Sequence, residues 1–238
     1  IKSHFVAQNP SYCGPASMEM ALEIFGYRNG QDEIGEKAGT EKGEGTDREK
    51  LMDAVEDLTD GEVKTAYIEY DKIGDLADEF KAWFDEGALI VPNFYKQELF
   101  PDANAGHYVL SVGVEGQEIL VVDPSKHTGT GGVYYVDADR LYEAMGEFDH
   151  KRGYIVVAPE GSTAYWRIKN DLVYSKKTYY DEISKTLETR LRKLLRQGGL
   201  LKNVMPSPIE DYLEDWRSDK RVTDIWKPEG REDETSED

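Results

Sequence analysis

The sequence predicts an α+β fold, and three observations carry that prediction. Helical periodicity fills most of the chain ahead of Val63, whereas later segments read mainly as short apolar or alternating runs. The runs 106–114 and 118–122 are separated only by Glu115-Gly116-Gln117, a hairpin connection that makes them antiparallel neighbours. Helices gathered first with an antiparallel sheet later is the α+β pattern.

A first helix is predicted over about 14–25, with Met18, Ala21, Leu22 and Phe25 at helical spacing and Gly26 and Gly30 ending it. A shorter helix surrounds 31–38. Either Thr46 or Asp47 caps a third, which runs through Leu51, Val55 and Leu58. Residues 63–70 alternate as a strand. Residues 73–86 place Leu76, Phe80 and Trp83 on one helical face, and 88–94 form a buried strand. The hairpin follows, then a strand over 132–136, a helix near 138–145 and a closing strand over 153–158.

After Pro159-Glu160-Gly161-Ser162 the character of the chain changes. Thr178 can cap a helix whose stripe is Ile183, Leu187, Leu191, Leu194 and Leu195, ended by Gly198-Gly199. Ser207-Pro208-Ile209-Glu210 is a capping box that opens another helix through Tyr212, Leu213 and Trp216. The predicted organisation is a domain over 1–160, a helical appendage over 161–226 and an acidic, disordered tail over 227–238. The apolar stripe must cover protein, so the appendage is expected to dock on the first domain or to form a homodimer.

Charge is unevenly spread. Residues 1–160 hold 32 acidic and 14 basic side chains, and the remainder hold 16 and 15, so the formal −19 belongs almost entirely to the first domain. Such a field repels nucleic acid, and its plainest use is a solubility surface. No stretch approaches the roughly 20 apolar residues of a transmembrane helix. No cofactor or metal is expected: there is one cysteine, no His-Glu-x-x-His, and the Gly-rich loop 128–132 lacks a P-loop lysine. A lone cysteine excludes an internal disulfide framework, and Ile1 at the start fits a cytoplasmic fragment as well as a mature secreted product.

That cysteine, Cys13, stands in Gln8-Asn9-Pro10-Ser11-Tyr12-Cys13-Gly14-Pro15-Ala16, directly ahead of the first helical pattern. A thiol is a good nucleophile only as thiolate, and the positive end of a helix lowers its pKa. The Gln8 amide can donate to an oxyanion formed on a carbonyl under attack. By itself a lone cysteine reads more simply as buried packing.

A base and its orienting partner decide between the two readings. Of the four histidines, only His107 heads a strong strand signal; His4, His127 and His150 stand in entry, Gly-rich and turn segments. Antiparallel pairing brings His107 near Asp123, which ends the next strand and can accept the imidazole proton.

In their order, Gln8 with Cys13-Gly14-Pro15-Ala16, then Gly106-His107-Tyr108, then Val122-Asp123-Pro124 resemble papain-like peptidases related to the double-glycine, bacteriocin-processing family. Gly45-Thr46 followed by Leu51 and Ala54 is similar to that family's Gly-Thr segment ahead of its second helix. The resemblance covers about 5–158. It implies a papain-like fold with Cys13 as nucleophile, His107 as general base and acid, Asp123 as orienter and Gln8 as oxyanion donor, acting on a peptide or protein substrate. Leader-processing members are fused to transporters, whereas this sequence shows neither a membrane span nor a phosphate-binding loop, so their double-glycine preference is not carried over. Gly198-Gly199 is not read as a self-cleavage site, because Lys193 and Arg196 occupy positions that are apolar in such leaders. The alternative class is a non-catalytic peptide binder that keeps the cleft; a Cys13 sulfur in contact with the His107 ring would favour catalysis.

Overall fold

The computed structural model describes residues 5–103, 105–125, 132–146 and 151–173. The helices and tail predicted beyond 173, together with His4, His127 and His150, lie outside the described residues. Helices α1 (Cys13–Phe25), α2 (Gln31–Lys37) and α3 (Arg48–Leu58) lead into strand β1 (Val63–Glu69), helix α4 (Leu76–Asp85) and strand β2 (Leu89–Tyr95). Then come β3 (Gly106–Tyr108), β4 (Leu110–Glu115), β5 (Glu118–Val122), β6 (Val133–Asp137), α5 (Ala138–Gly146), β7 (Gly153–Pro159) and α6 (Thr163–Lys169). The fold is α+β, with an antiparallel sheet in the order β1-β7-β2-β4-β5-β6 and β3 paired beside β2.

Strand alternation explains why helices lie on both faces. In β7, Ile155 and Val157 join Met18, Leu22, Ile34 and Leu51 of α1–α3, whereas Tyr154, Val156 and Ala158 join Phe80, Trp83, Leu141 and Ala164 of α4–α6. The central strands β2 and β7 are therefore nearly continuous apolar runs, covered on both sides.

Three local readings are refined. The run 106–114 is two strands rather than one. β3 pairs Tyr108 with Asn93, and β4 resumes by pairing Ser111 with Ile90. Pro92 lies opposite the break and has no N–H for the ladder, although its carbonyl accepts from Val109 N at 3.3 Å. Helix α4 starts at Leu76 because the Asp75 carboxylate caps it by accepting from Asp78 N. For α3 the cap is Asp47, whose Oδ1 accepts from Glu49 N at 2.9 Å and Lys50 N at 3.1 Å. Asp47→Ala should cost about 1 kcal/mol of stability, read as a lower denaturant midpoint; an unchanged midpoint would show that the cap does not hold α3.

The change of character after 160 is not a break in packing. Ser162 caps α6, Ala164 is fully buried, and Arg167 pairs with Glu86 Oε2 at 2.6 Å. The described residues 161–173 all fall within the first structural unit. Among the described residues no helix is long and apolar enough to cross a membrane, and no cluster of three or more His, Cys, Asp or Glu side chains is placed to hold a metal.

Candidate active site

Cys13 is the first residue of α1, at an end that is left electrostatically open. Tyr12 makes no side-chain cap, and the first turn holds no acidic residue to offset the helix's positive end. Pro15 falls at the third helical position, still inside the turn whose N–H groups lack intrahelical partners. Gly14 lets this end approach its neighbours: a Cβ there would stand 2.9 Å from Leu51 Cδ2 and 3.4 Å from Tyr108 Cδ2.

The segment ahead of the helix is tied on both sides. Gln8 N donates to Pro124 O at 2.9 Å, which fixes Gln8 to the residue after Asp123. Ser11, at φ 69°, accepts through its hydroxyl from Gly43 N at 2.8 Å. That bond draws the turn at Glu41–Gly45 against the cysteine segment. A cleft of about 500 Å³ lies between them, lined by Gln8, Ser11, Cys13, Gly43–Thr46, Asn93, Lys96, Ala105–Tyr108, Ser125 and Arg152.

His107 is brought to Cys13 by β3 and to Asp123 by the β4–β5 hairpin. Its Nε2 donates to Asp123 Oδ1 at 2.8 Å, and its ring meets Phe94 edge-on at 5.8 Å. Asp123 is fully buried, but each oxygen is satisfied: Oδ1 also accepts from Ser125 N at 2.7 Å, and Oδ2 accepts from Tyr134 Oη at 2.9 Å. With Nε2 committed to the carboxylate, Nδ1 is left for the sulfur, and Cys13 and His107 line the same cleft.

The electrostatics follow from these contacts. Burial pushes the Cys13 thiol up, but the hydrogen bond and charge of His107 and the backbone N–H groups of Tyr108 and Gly14 outweigh it, so the thiol lies below its ordinary value. Burial pushes His107 down, yet hydrogen bonds and charge from Asp123 and Cys13 raise it to about 9. Asp123, opposed by its burial, is lowered by His107, the Ser125 N–H and the charge of Lys96. The two shifts, the thiol down and the imidazole up, both favour a thiolate–imidazolium pair over the neutral pair.

The family model described as "Peptidase_C39 like family" matches residues 1–150. The chain belongs to the Peptidase_C39 like family. It is a cysteine peptidase-like hydrolase. Among solved structures, this C39-like chain is similar to the peptidase domain of Streptococcus ComA, a bifunctional ABC transporter of a quorum-sensing pathway, at 19% identity and TM-score 0.45, over 65% of this chain and 97% of that one. A C39-like peptidase from Bacillus anthracis gives 14% identity and TM-score 0.49 over 66% and 94%. A double glycine motif protease from an AMS/PCAT transporter, in complex with its leader peptide, gives 16% and 0.43 over 65% and 88%. A search of curated proteins finds no match.

All four residues singled out from the sequence of this C39-like peptidase are gathered in one region: Cys13, His107 and Gln8 line the cleft, and Asp123 lies directly behind His107. Gln8 Oε1 is buried and has no hydrogen-bond partner among the described residues. Sequence reading missed Tyr134, Ser125, Lys96 and Arg152. Only Ser125 carried a local signal, since an Asp two residues ahead of an N–H donor forms an Asx turn.

Proposed function

We propose that this chain cleaves peptides through a Cys13–His107–Asp123 triad, with Gln8 as an oxyanion donor. The observation that carries the reading is the chain of side chains that runs from Cys13 and His107, both on the cleft, to the buried Asp123 that holds the His107 ring at 2.8 Å. A peptide-binding protein has no physical need for that chain.

In the proposed reaction the thiolate attacks the scissile carbonyl carbon. A C–S bond forms, and the carbonyl π pair moves onto oxygen. The Gln8 amide and the Cys13 N–H, at the open end of α1, donate to that oxyanion. The His107 imidazolium gives its Nδ1 proton to the amide nitrogen as the C–N bond breaks and the amine leaves. Water then attacks the thioester with His107 taking its proton, and the acid and thiolate are regenerated. Asp123 keeps Nε2 protonated throughout, which leaves Nδ1 to do the transfers.

A test is second-order labelling of Cys13 by iodoacetamide near pH 7. The sole cysteine makes the label unambiguous. Reaction much faster than that of an ordinary exposed thiol is expected; parity with one would sink the proposal.

The pH profile supplies a second check. Turnover requires His107 in its charged form, so kcat/KM should fall as pH rises through about 9. It should also fall on the acid side as the thiolate is lost, through a value below that of a free thiol. Alkylation needs only the thiolate, so it should persist where turnover has gone. A turnover rate that holds steady well above that alkaline limb would contradict the role given to His107.

A further inference from the structure

The hydrogen bonds that Asp123 accepts are unequally shared between its oxygens. Oδ1 takes one from His107 Nε2 at 2.8 Å and one from Ser125 N at 2.7 Å. Oδ2 takes its bond from the Tyr134 hydroxyl, at 2.9 Å. The Ser125 bond is local and travels with Asp123 whenever that segment moves. The Tyr134 bond comes from a neighbouring strand. β5 and β6 pair Val121 with Tyr134, and Asp123 N continues the ladder by donating to Gly132 O at 2.6 Å. That register makes Tyr134 a diagonal neighbour of Asp123, at a separation an aromatic side chain can bridge. Gly132, opposite Asp123, puts no side chain between them.

Tyr134 is itself held, because its ring meets Phe100 edge-on at 5.7 Å. Burial, followed by the charge and hydrogen bond of Asp123, pushes its ionisation far above the ordinary tyrosine value. The hydroxyl therefore keeps its proton and acts as a donor across the working range. Tyr134 is not among the residues that line the cleft, so it reaches the reaction through Asp123 and not through the substrate.

We infer that Tyr134 is a positioning residue of the triad: it keeps the Asp123 carboxylate turned toward His107 and moderates how strongly that carboxylate stabilises the imidazolium. The inference rests on the peptidase reading of the cleft. A donor to Oδ2 shares the negative charge that Oδ1 would otherwise offer the ring, so Nδ1 gives up its proton more readily to the leaving amine. The other described groups facing this pair are Cys13 on α1, Lys96 in the turn after β2 and Glu44 across the cleft, with Arg152 packed against Gly106. A change confined to the Tyr134 hydroxyl alters none of them.

The experiment titrates His107 by NMR in the full chain labelled with ¹⁵N-histidine, its signal identified by its loss in His107→Ala. The sole cysteine is first capped as a methyl disulfide with methyl methanethiosulfonate, which removes the coupled titration of Cys13. Tyr134→Phe deletes the donor and should raise the His107 pKa by about half a unit to one unit. Tyr134→3-fluorotyrosine keeps the ring and donates more strongly, so it should lower the same pKa. Opposite shifts are what a hydroxyl acting through Asp123 produces; loosened packing would not change sign with donor strength. Titrations that coincide with wild type in both folded variants, or that move the same way in both, overturn the role. If Tyr134→Phe fails to fold, the fluorotyrosine variant decides by its sign alone. The uncapped wild type is alkylated by iodoacetamide in parallel. Rapid alkylation with unmoved titrations removes only the role given to Tyr134. A wild-type Cys13 no faster than free cysteine overturns the peptidase reading, and the role falls with it.

Discussion

Alanine at His107 is expected to lower peptidase kcat/KM by about 10²–10⁴-fold and to raise the Cys13 thiol pKa above its ordinary value. The second effect is the more diagnostic. Burial is the strongest influence on Cys13 and opposes the thiolate, while the His107 hydrogen bond and charge are the next two and favour it. Removing the ring leaves burial opposed only by the Tyr108 and Gly14 N–H groups. Titration of the thiolate by ultraviolet absorbance, with a parallel alkylation profile, reads the change directly. A variant that keeps full thiolate absorbance at neutral pH would show that the helix end alone ionises Cys13, and the ion-pair account would fail.

Arg167→Met should be the most destabilising single change away from the cleft, at about 3–5 kcal/mol. The Arg167 side chain is 2% exposed and that of Glu86 15%, with 2.6 Å between them. The guanidinium also donates through Nε to Leu172 O at 3.1 Å and stacks over Trp83 at 4.0 Å. Removing the cation strands a carboxylate in a low-dielectric setting, which costs far more than the pair itself is worth. Out of a typical domain stability of about 5–15 kcal/mol this is a large share, and denaturant unfolding measures it. The double variant Glu86→Leu with Arg167→Met should recover most of the loss, since it removes both charges. A single variant within about 1 kcal/mol of wild type would show that α6 is not anchored through this pair.

Much of the secondary structure was legible because it depends on local patterns. The helices at 13–25, 31–37 and 48–58 and the strands at 63–69, 89–95, 118–122 and 153–159 fall within a few residues of their predicted spans. The hairpin turn placed β4 beside β5 without any tertiary information. The division between β3 and β4 was not legible, because its cause is Pro92 on another strand. Residues 161–173 read as the start of an appendage because the glycine and charge pattern changes there. Ala164 and Arg167 belong instead to the packing of the preceding sheet and α4.

The sequence by itself determined the order of elements, the α+β class and the four residues that meet at the cleft. Each rests on periodicity, turn chemistry or a short motif, and these signals act over a few neighbouring residues. Only the tertiary structure decided that α4–α6 cover the face opposite α1–α3, because periodicity marks an apolar stripe without saying what it packs on. Only the tertiary structure also showed that Tyr134 and Ser125 satisfy Asp123, and that Lys96 and Arg152 reach the cleft. Lys96 and Ser125 stand 29 positions apart, and Arg167 and Glu86 stand 81 apart. Such pairs are set by strand order and register, which fix which side chains face one another across elements remote in the chain.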